Sequence, residues 1–168
     1  MSTSEHRDKS KDVQANCAIL TISDTRTLDN DSSGHLIASL LEQAGHHIVD
    51  RALVKDEVTA IGSTLTRWLE DEDVQVILTT GGTGIARRDT TIEVVKRMIT
   101  KPLPGFGELF RVLSYKHVGS AAMLSRAVAG LAGGTMIFTM PGSQNAVQLA
   151  MTKLIVPELA HMVWERQR

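Results

Sequence analysis

Two rhythms of apolar residues alternate along the chain. Residues 17–23 (CAILTIS) are a short apolar run without helical spacing, bounded by polar sequence and by Asp24-Thr25-Arg26. That pattern predicts a strand buried on both faces. A polar loop over 24–33 follows, and then Leu36, Ile37, Leu40, Leu41 and Ala44 mark one face of a helix that Gly45 stops. Residues 46–54 (HHIVDRALV) read as a second strand, and Val58, Ile61, Leu65, Trp68 and Leu69 as a second amphipathic helix. Residues 74–80 (VQVILTT) give the clearest strand, which runs into Gly81-Gly82-Thr83-Gly84.

A third helix is expected from near Thr90, with Val94, Val95 and Met98 inward, and Pro102 and Pro104 end that region. Residues 105–115 predict a further short helix, 126–130 a strand, and 135–140 (TMIFTM) another strand closed by Pro141-Gly142-Ser143. Residues 147–168 read as mostly helical, with a break at Pro157. Strands that alternate with helices need crossover connections, and these are nearly always right-handed. The expected architecture is therefore α/β, a three-layer α-β-α arrangement around a mainly parallel sheet. Ligands in such folds gather at the carboxyl ends of the strands.

Composition narrows the function. With 168 residues the chain has the length of one domain. We divide it into a disordered polar tail over residues 1–14 and a single domain over 15–168. The 18 Lys and Arg against 19 Asp and Glu remove the basic excess of a dedicated nucleic-acid binder. Aromatics at 4% argue against a row of base-stacking platforms. One cysteine, Cys17, excludes an internal disulfide and a multi-cysteine zinc site, and packing is its expected role. The tail has no apolar core of a signal peptide, and the uncharged stretch 127–152 is broken by glycines and a proline. The expectation is a soluble cytoplasmic protein without a membrane partner.

The chemistry sits in the loops. Three glycines in Thr80-Gly81-Gly82-Thr83-Gly84 let the backbone turn tightly and bring several N–H groups to one point, which suits a phosphate. A tight turn that needs positive φ explains them equally well. The spacing is neither a Walker A loop nor a dinucleotide fingerprint. Arg87 and Arg88 follow, as bidentate phosphate ligands or as solvated surface. Thr90 with Glu93 has the spacing of a capping box, which would leave Asp89 outside the helix and facing the loop. Asp56 opens the second helix, either as its N-cap or as a second carboxylate on the same sheet edge, where two acids could share Mg²⁺. Ser143 is an N-cap, an anion ligand at a helix start, or both. Asp24 and Ser33-Gly34 reach the same rim from the first strand.

In combination these segments resemble the MoaB/MogA family of molybdopterin-binding proteins, and within it the molybdenum cofactor biosynthesis protein B branch. The likeness covers about residues 16 to 165. It rests on residues 80–84 followed by Arg88-Asp89, on 104–111 (PGFGELFR), on 124–130 (LSRAVAG) and on 140–143 (MPGS). The resemblance implies a trimer or hexamer that binds molybdopterin and a nucleotide. Active members are similar to adenylyltransferases, which join molybdopterin to ATP with Mg²⁺ and release pyrophosphate before a downstream protein inserts molybdate. By carry-over, Asp56 and Asp89 match the acidic positions tied to metal and catalysis. Thr80, Gly81, Gly82, Thr83, Gly84, Arg88, Ser125, Pro141, Gly142 and Ser143 match the substrate-binding positions. Many active members read Arg-Asp-Val-Thr-Pro where this chain has Arg88-Asp89-Thr90-Thr91-Ile92. The second function the resemblance allows is a non-catalytic molybdopterin carrier of the same pathway.

Overall fold

The computed structural model describes residue 10 and residues 12–166. Most of the polar tail expected over 1–14 lies outside these residues, as do residues 167–168. Within it, Val13 packs against the core and its amide donates to the Ser10 carbonyl.

Six strands form one sheet: β1 (Asn16–Ile22), β2 (His47–Val54), β3 (Val76–Thr80), β4 (Lys101–Pro102), β5 (Val128–Ala132) and β6 (Thr135–Met140). Their spatial order is β2-β1-β3-β6-β5-β4. The first four in that order are parallel. Helices α1 (Ser32–Gln43), α2 (Val58–Leu69), α3 (Thr91–Met98), α4 (Pro104–Val118), α5 (Gln144–Ala150) and α6 (Val156–Arg166) cover both faces. The layered α/β architecture expected from the alternating pattern is the one observed.

The central strands are apolar throughout because each feeds two cores. On β1, Cys17 and Ile19 join one cluster while Ala18, Leu20 and Ile22 join the other. Val76 and Leu78 of β3 and Met136 and Phe138 of β6 continue the first, against Ile37 and Leu41 of α1, Phe106 and Phe110 of α4, and Val147 and Leu159 beyond β6. Ile77 and Ile137 continue the second, beneath Ile61, Leu65 and Trp68 of α2 and Val94 and Val95 of α3. The Trp68 indole N–H is satisfied by Asp50 Oδ2 at 2.7 Å. Val58, expected on the inner face of α2, is instead exposed.

Three features depart from the sequence expectation. The sheet reverses direction at one side: β5 and β6 are antiparallel, paired Ala132 to Thr135 across the two-residue turn Gly133-Gly134, and β4 adds antiparallel to β5. A Gly-Gly pair between apolar runs is a hairpin signal. The helix expected over 105–115 begins at Pro104, where a proline suits the first helical position, and runs to Val118. Pro157 does not break the last helical stretch. A π-helical turn over Met151–Ile155 precedes it and leads into α6. No helix among the described residues is long and apolar enough to cross a membrane.

Candidate functional site

The carboxyl ends of β3 and β6 lie side by side, and the loops that leave them are joined. The Gly81 amide donates to the Met140 carbonyl at 3.1 Å, and the Thr80 hydroxyl donates to the Pro141 carbonyl at 3.0 Å. From the first crossover, the Ser33 hydroxyl donates to the Gly142 carbonyl at 2.7 Å. Ser143 caps α5 by accepting the Ala146 amide at 3.2 Å.

The glycine turn requires glycine at its centre. Gly81 and Gly82 have φ of 99° and 65°. A Cβ on Gly81 would lie 2.1 Å from the Ile22 carbonyl oxygen, and one on Gly82 would lie 2.1 Å from Thr91 Oγ1 and 2.6 Å from Asp56 Oδ2. Among the described residues, the amides of Gly82, Thr83, Gly84 and Ile85 find no protein acceptor. Four unpaired N–H groups in one tight turn are what an anion would satisfy.

Both acids predicted from the sequence reach this turn. Asp56, nearly buried, accepts the Thr90 amide at 3.0 Å and the Thr90 hydroxyl at 2.7 Å through Oδ1. Its Oδ2 faces Gly82 and receives no protein donor among the described residues. Asp89 Oδ2 accepts the Ala86 amide at 2.7 Å and lies against Gly84, while Oδ1 receives no donor among the described residues. Each acid thus commits one oxygen to the protein and retains one. Thr91 Oγ1 is buried without a partner on the same side of Gly82 as Asp56 Oδ2. This donor set fits a hard divalent cation such as Mg²⁺, which takes one or two carboxylates and completes its shell with phosphates and water.

Two local expectations are corrected. Thr90 stands at the N-cap of α3 but makes no side-chain cap bond, so no capping box forms. Its hydroxyl is drawn to Asp56, and Glu93 pairs instead with Arg126. Asp56 does not cap α2 either, because that helix starts at Val58 with Glu57 before it. Asp56 stabilises the entry to the following helix.

Arg88 forms a two-pronged pair with Asp24, Nε to Oδ2 at 2.8 Å and Nη2 to Oδ1 at 2.9 Å. The guanidinium hydrogen bond holds the Asp24 carboxyl below its usual range. Asp24 Oδ1 also accepts the Asp56 amide at 3.1 Å, so both of its oxygens are occupied. Arg87 is exposed and borders a 420 Å³ cavity with Asp89, Glu93, Arg97 and Arg126.

A larger cavity of 870 Å³ opens on the other side of the turn. Of the substrate-binding positions that the resemblance implies, Thr83, Gly84, Ser125, Pro141 and Ser143 line one end of it, whereas Thr80, Gly81, Gly82, Arg88 and Gly142 do not. Its far end is formed by α4 and by α5 with the π turn, where Ser114, His117, Asn145, Gln148 and Lys153 supply polar groups. Sequence reading missed those residues, because isolated polar positions on helices carry no motif. It also missed Asp31, which is fully buried and accepts Thr21 Oγ1 at 2.6 Å, the Gly34 amide at 2.9 Å and Arg51 Nη2 at 2.8 Å. That cluster fixes the start of α1, from which Ser33 holds the Gly142 loop.

Comparison with known proteins gives the family and the fold. Residues 18–161 match the family described as "Probable molybdopterin binding domain". The chain is 51% identical over 166 residues to the molybdenum cofactor biosynthesis protein B of Bacillus subtilis (strain 168), covering 98% of this chain and 97% of that one. A crystal structure of a molybdenum cofactor biosynthesis protein B superposes with a TM-score of 0.89 at 50% identity, covering 92% of this chain and 97% of the other. The tungsten cofactor synthesizing protein MoaB from Pyrococcus furiosus superposes at 0.81 with 34% identity, over 92% of this chain and 98% of that one. The chain belongs to the molybdopterin-binding domain family, in its molybdenum cofactor biosynthesis protein B branch.

Proposed function

We propose that this protein adenylylates molybdopterin with Mg-ATP and releases pyrophosphate. The terminal phosphate of the pterin attacks the α-phosphate of ATP, the bond from the α-phosphorus to the bridging oxygen breaks, and pyrophosphate leaves. One observation carries the reading: Asp56 and Asp89 flank the same glycine turn, each with one carboxylate oxygen that receives no donor among the described residues.

Two polyanions must be held in contact, so positioning and charge stabilisation are the tasks of the protein. The unpaired amides of residues 82–85 offer donors to phosphate oxygens. Asp56 and Asp89 would hold Mg²⁺, which when bound neutralises phosphate charge. Thr90 keeps Asp56 oriented, and the Ala86 amide keeps Asp89 against Gly84. The 870 Å³ cavity has room for the pterin beside the turn. No nucleophilic side chain is needed.

Assembly belongs to the same proposal. Leu109, Val112, Tyr115, Val118, Met123 and Leu124 are all more than half exposed, on α4 and the 3₁₀ turn that follows it. A patch of that kind supports self-association, which the family resemblance gives as a trimer or hexamer. Light scattering should return a multiple of three chains, and a monomer at micromolar concentration would refute this part.

The test of the activity is mass spectrometry of molybdopterin incubated with the protein and Mg-ATP. Adenylylated molybdopterin is the expected product. Saturable pterin binding without that product would favour the carrier reading instead.

A further inference from the structure

Arg126 follows Ser125 at the rim of the large cavity and, among the described residues, is the side chain with the most hydrogen bonds to backbone carbonyls of the glycine turn and its return. Its Nε donates to the Gly84 carbonyl at 2.9 Å and to the Thr83 carbonyl at 3.4 Å. Its Nη2 donates to the Asp89 carbonyl at 3.1 Å, and its Nη1 pairs with Glu93 of α3. One planar group therefore grips the turn before and after its exposed tip, residues 85–88.

The consequence follows from peptide geometry. In a trans peptide the N–H points opposite to the C=O. A guanidinium that gathers the carbonyls of Thr83 and Gly84 turns the amides of Gly84 and Ile85 away from itself, and those two amides find no protein acceptor among the described residues. The third grip acts on the acids. Arg126 holds the Asp89 carbonyl, and the N–H of that same peptide, on Thr90, donates to Asp56 Oδ1. A chain of hydrogen bonds thus runs from Arg126 through the 89–90 peptide to Asp56. Lysine could not replace this, because one ammonium lacks the fixed fork that spans several carbonyls.

We propose that Arg126 is a positioning residue: it sets the glycine turn and the 89–90 peptide so that the turn's free amides and the Asp56 and Asp89 carboxylates are preorganised for phosphate. The role of the turn in phosphate binding rests on the function proposed above. The clamp itself can be measured without any ligand.

The experiment is amide hydrogen exchange by NMR on the ligand-free protein and its Arg126→Ala and Arg126→Lys variants, followed by titration with molybdopterin. In Arg126→Ala, exchange at Ala86, Asp89 and Thr90 should accelerate about tenfold or more, in line with loss of charge-assisted bonds. The amides of β3 and β6 should keep their protection. Arg126→Lys should resemble the alanine variant in the turn while retaining the global melting temperature, and it decides the matter if the alanine variant does not fold. Molybdopterin affinity should fall in both. Unchanged exchange at those three amides in a folded variant would overturn the clamp, as would uniform acceleration across β3 and β6. Loosened amides with unchanged pterin affinity would keep the clamp and overturn the phosphate reading of the turn.

Discussion

Asp56 and Thr90 are 34 residues apart, yet one carboxylate oxygen of Asp56 takes both the backbone amide and the hydroxyl of Thr90. The contact joins the second crossover to the loop after β3. It also explains how two acids from different segments meet at one turn: Asp89 is the residue immediately before Thr90. Whatever holds Thr90 to Asp56 also holds Asp89 near Gly84.

The turn tolerates no side chain at its centre. Gly82→Ala places a methyl within 2.1 Å of Thr91 Oγ1 and 2.6 Å of Asp56 Oδ2, at a φ of 65°. Strain of this kind costs about 1–3 kcal/mol. Urea unfolding should show that loss together with lost molybdopterin binding. Gly105→Ala is the control, since nothing lies within 4 Å of its added methyl. That variant should keep full stability and binding, and equal behaviour of the two variants would refute the steric argument.

The buried Asp31 cluster predicts an acid limb of stability. Burial drives the Asp31 carboxyl up, but the bonds from Thr21, Arg51 and Gly34 outweigh it and hold the group below its usual value. A lowered folded-state pKa contributes stability that is present above the unfolded value, about 4, and is lost as pH falls through the folded value. Asp31→Asn should therefore cost about 1.5–3 kcal/mol at pH 7 by urea titration. Its stability should also fall less than that of the unaltered protein between pH 5 and pH 3. Parallel pH curves would contradict the assignment.

Cys17 lies wholly buried in β1, an interior strand of the sheet, and burial pushes its thiol up to about 12. The thiolate is the reactive form, so an aromatic disulfide reagent at pH 8 should label folded protein only at the rate of opening. Guanidinium should release full labelling of one thiol. Rapid labelling under native conditions would place Cys17 outside the core.

What was legible in the sequence follows a physical line. Continuous apolar runs such as 17–23 and 135–140 announced the central strands, because strands fed from two cores have no polar face to blur the signal. The glycine turn and the Pro141-Gly142-Ser143 loop were visible because tight backbone geometry restricts residue choice. Long-range polar contacts were not. Nothing in the spacing of Arg88 foretells that Asp24 occupies it, and Glu93 was misread because a local capping partner competes with Arg126, distant in sequence. The antiparallel edge was missed although Gly133-Gly134 announces it, since alternation of strands and helices elsewhere favoured crossovers.

The most direct test of the central claim compares pyrophosphate release from molybdopterin and Mg-ATP by the unaltered protein, Asp56→Asn and Asp89→Asn. Each amide variant can still accept the structural hydrogen bond while losing charge at the free oxygen. The account predicts release by the unaltered protein and at least a hundredfold less by either variant, roughly the weight of one lost electrostatic contact to a transition state, with melting temperatures preserved. Release by both folded variants at the unaltered rate would contradict it.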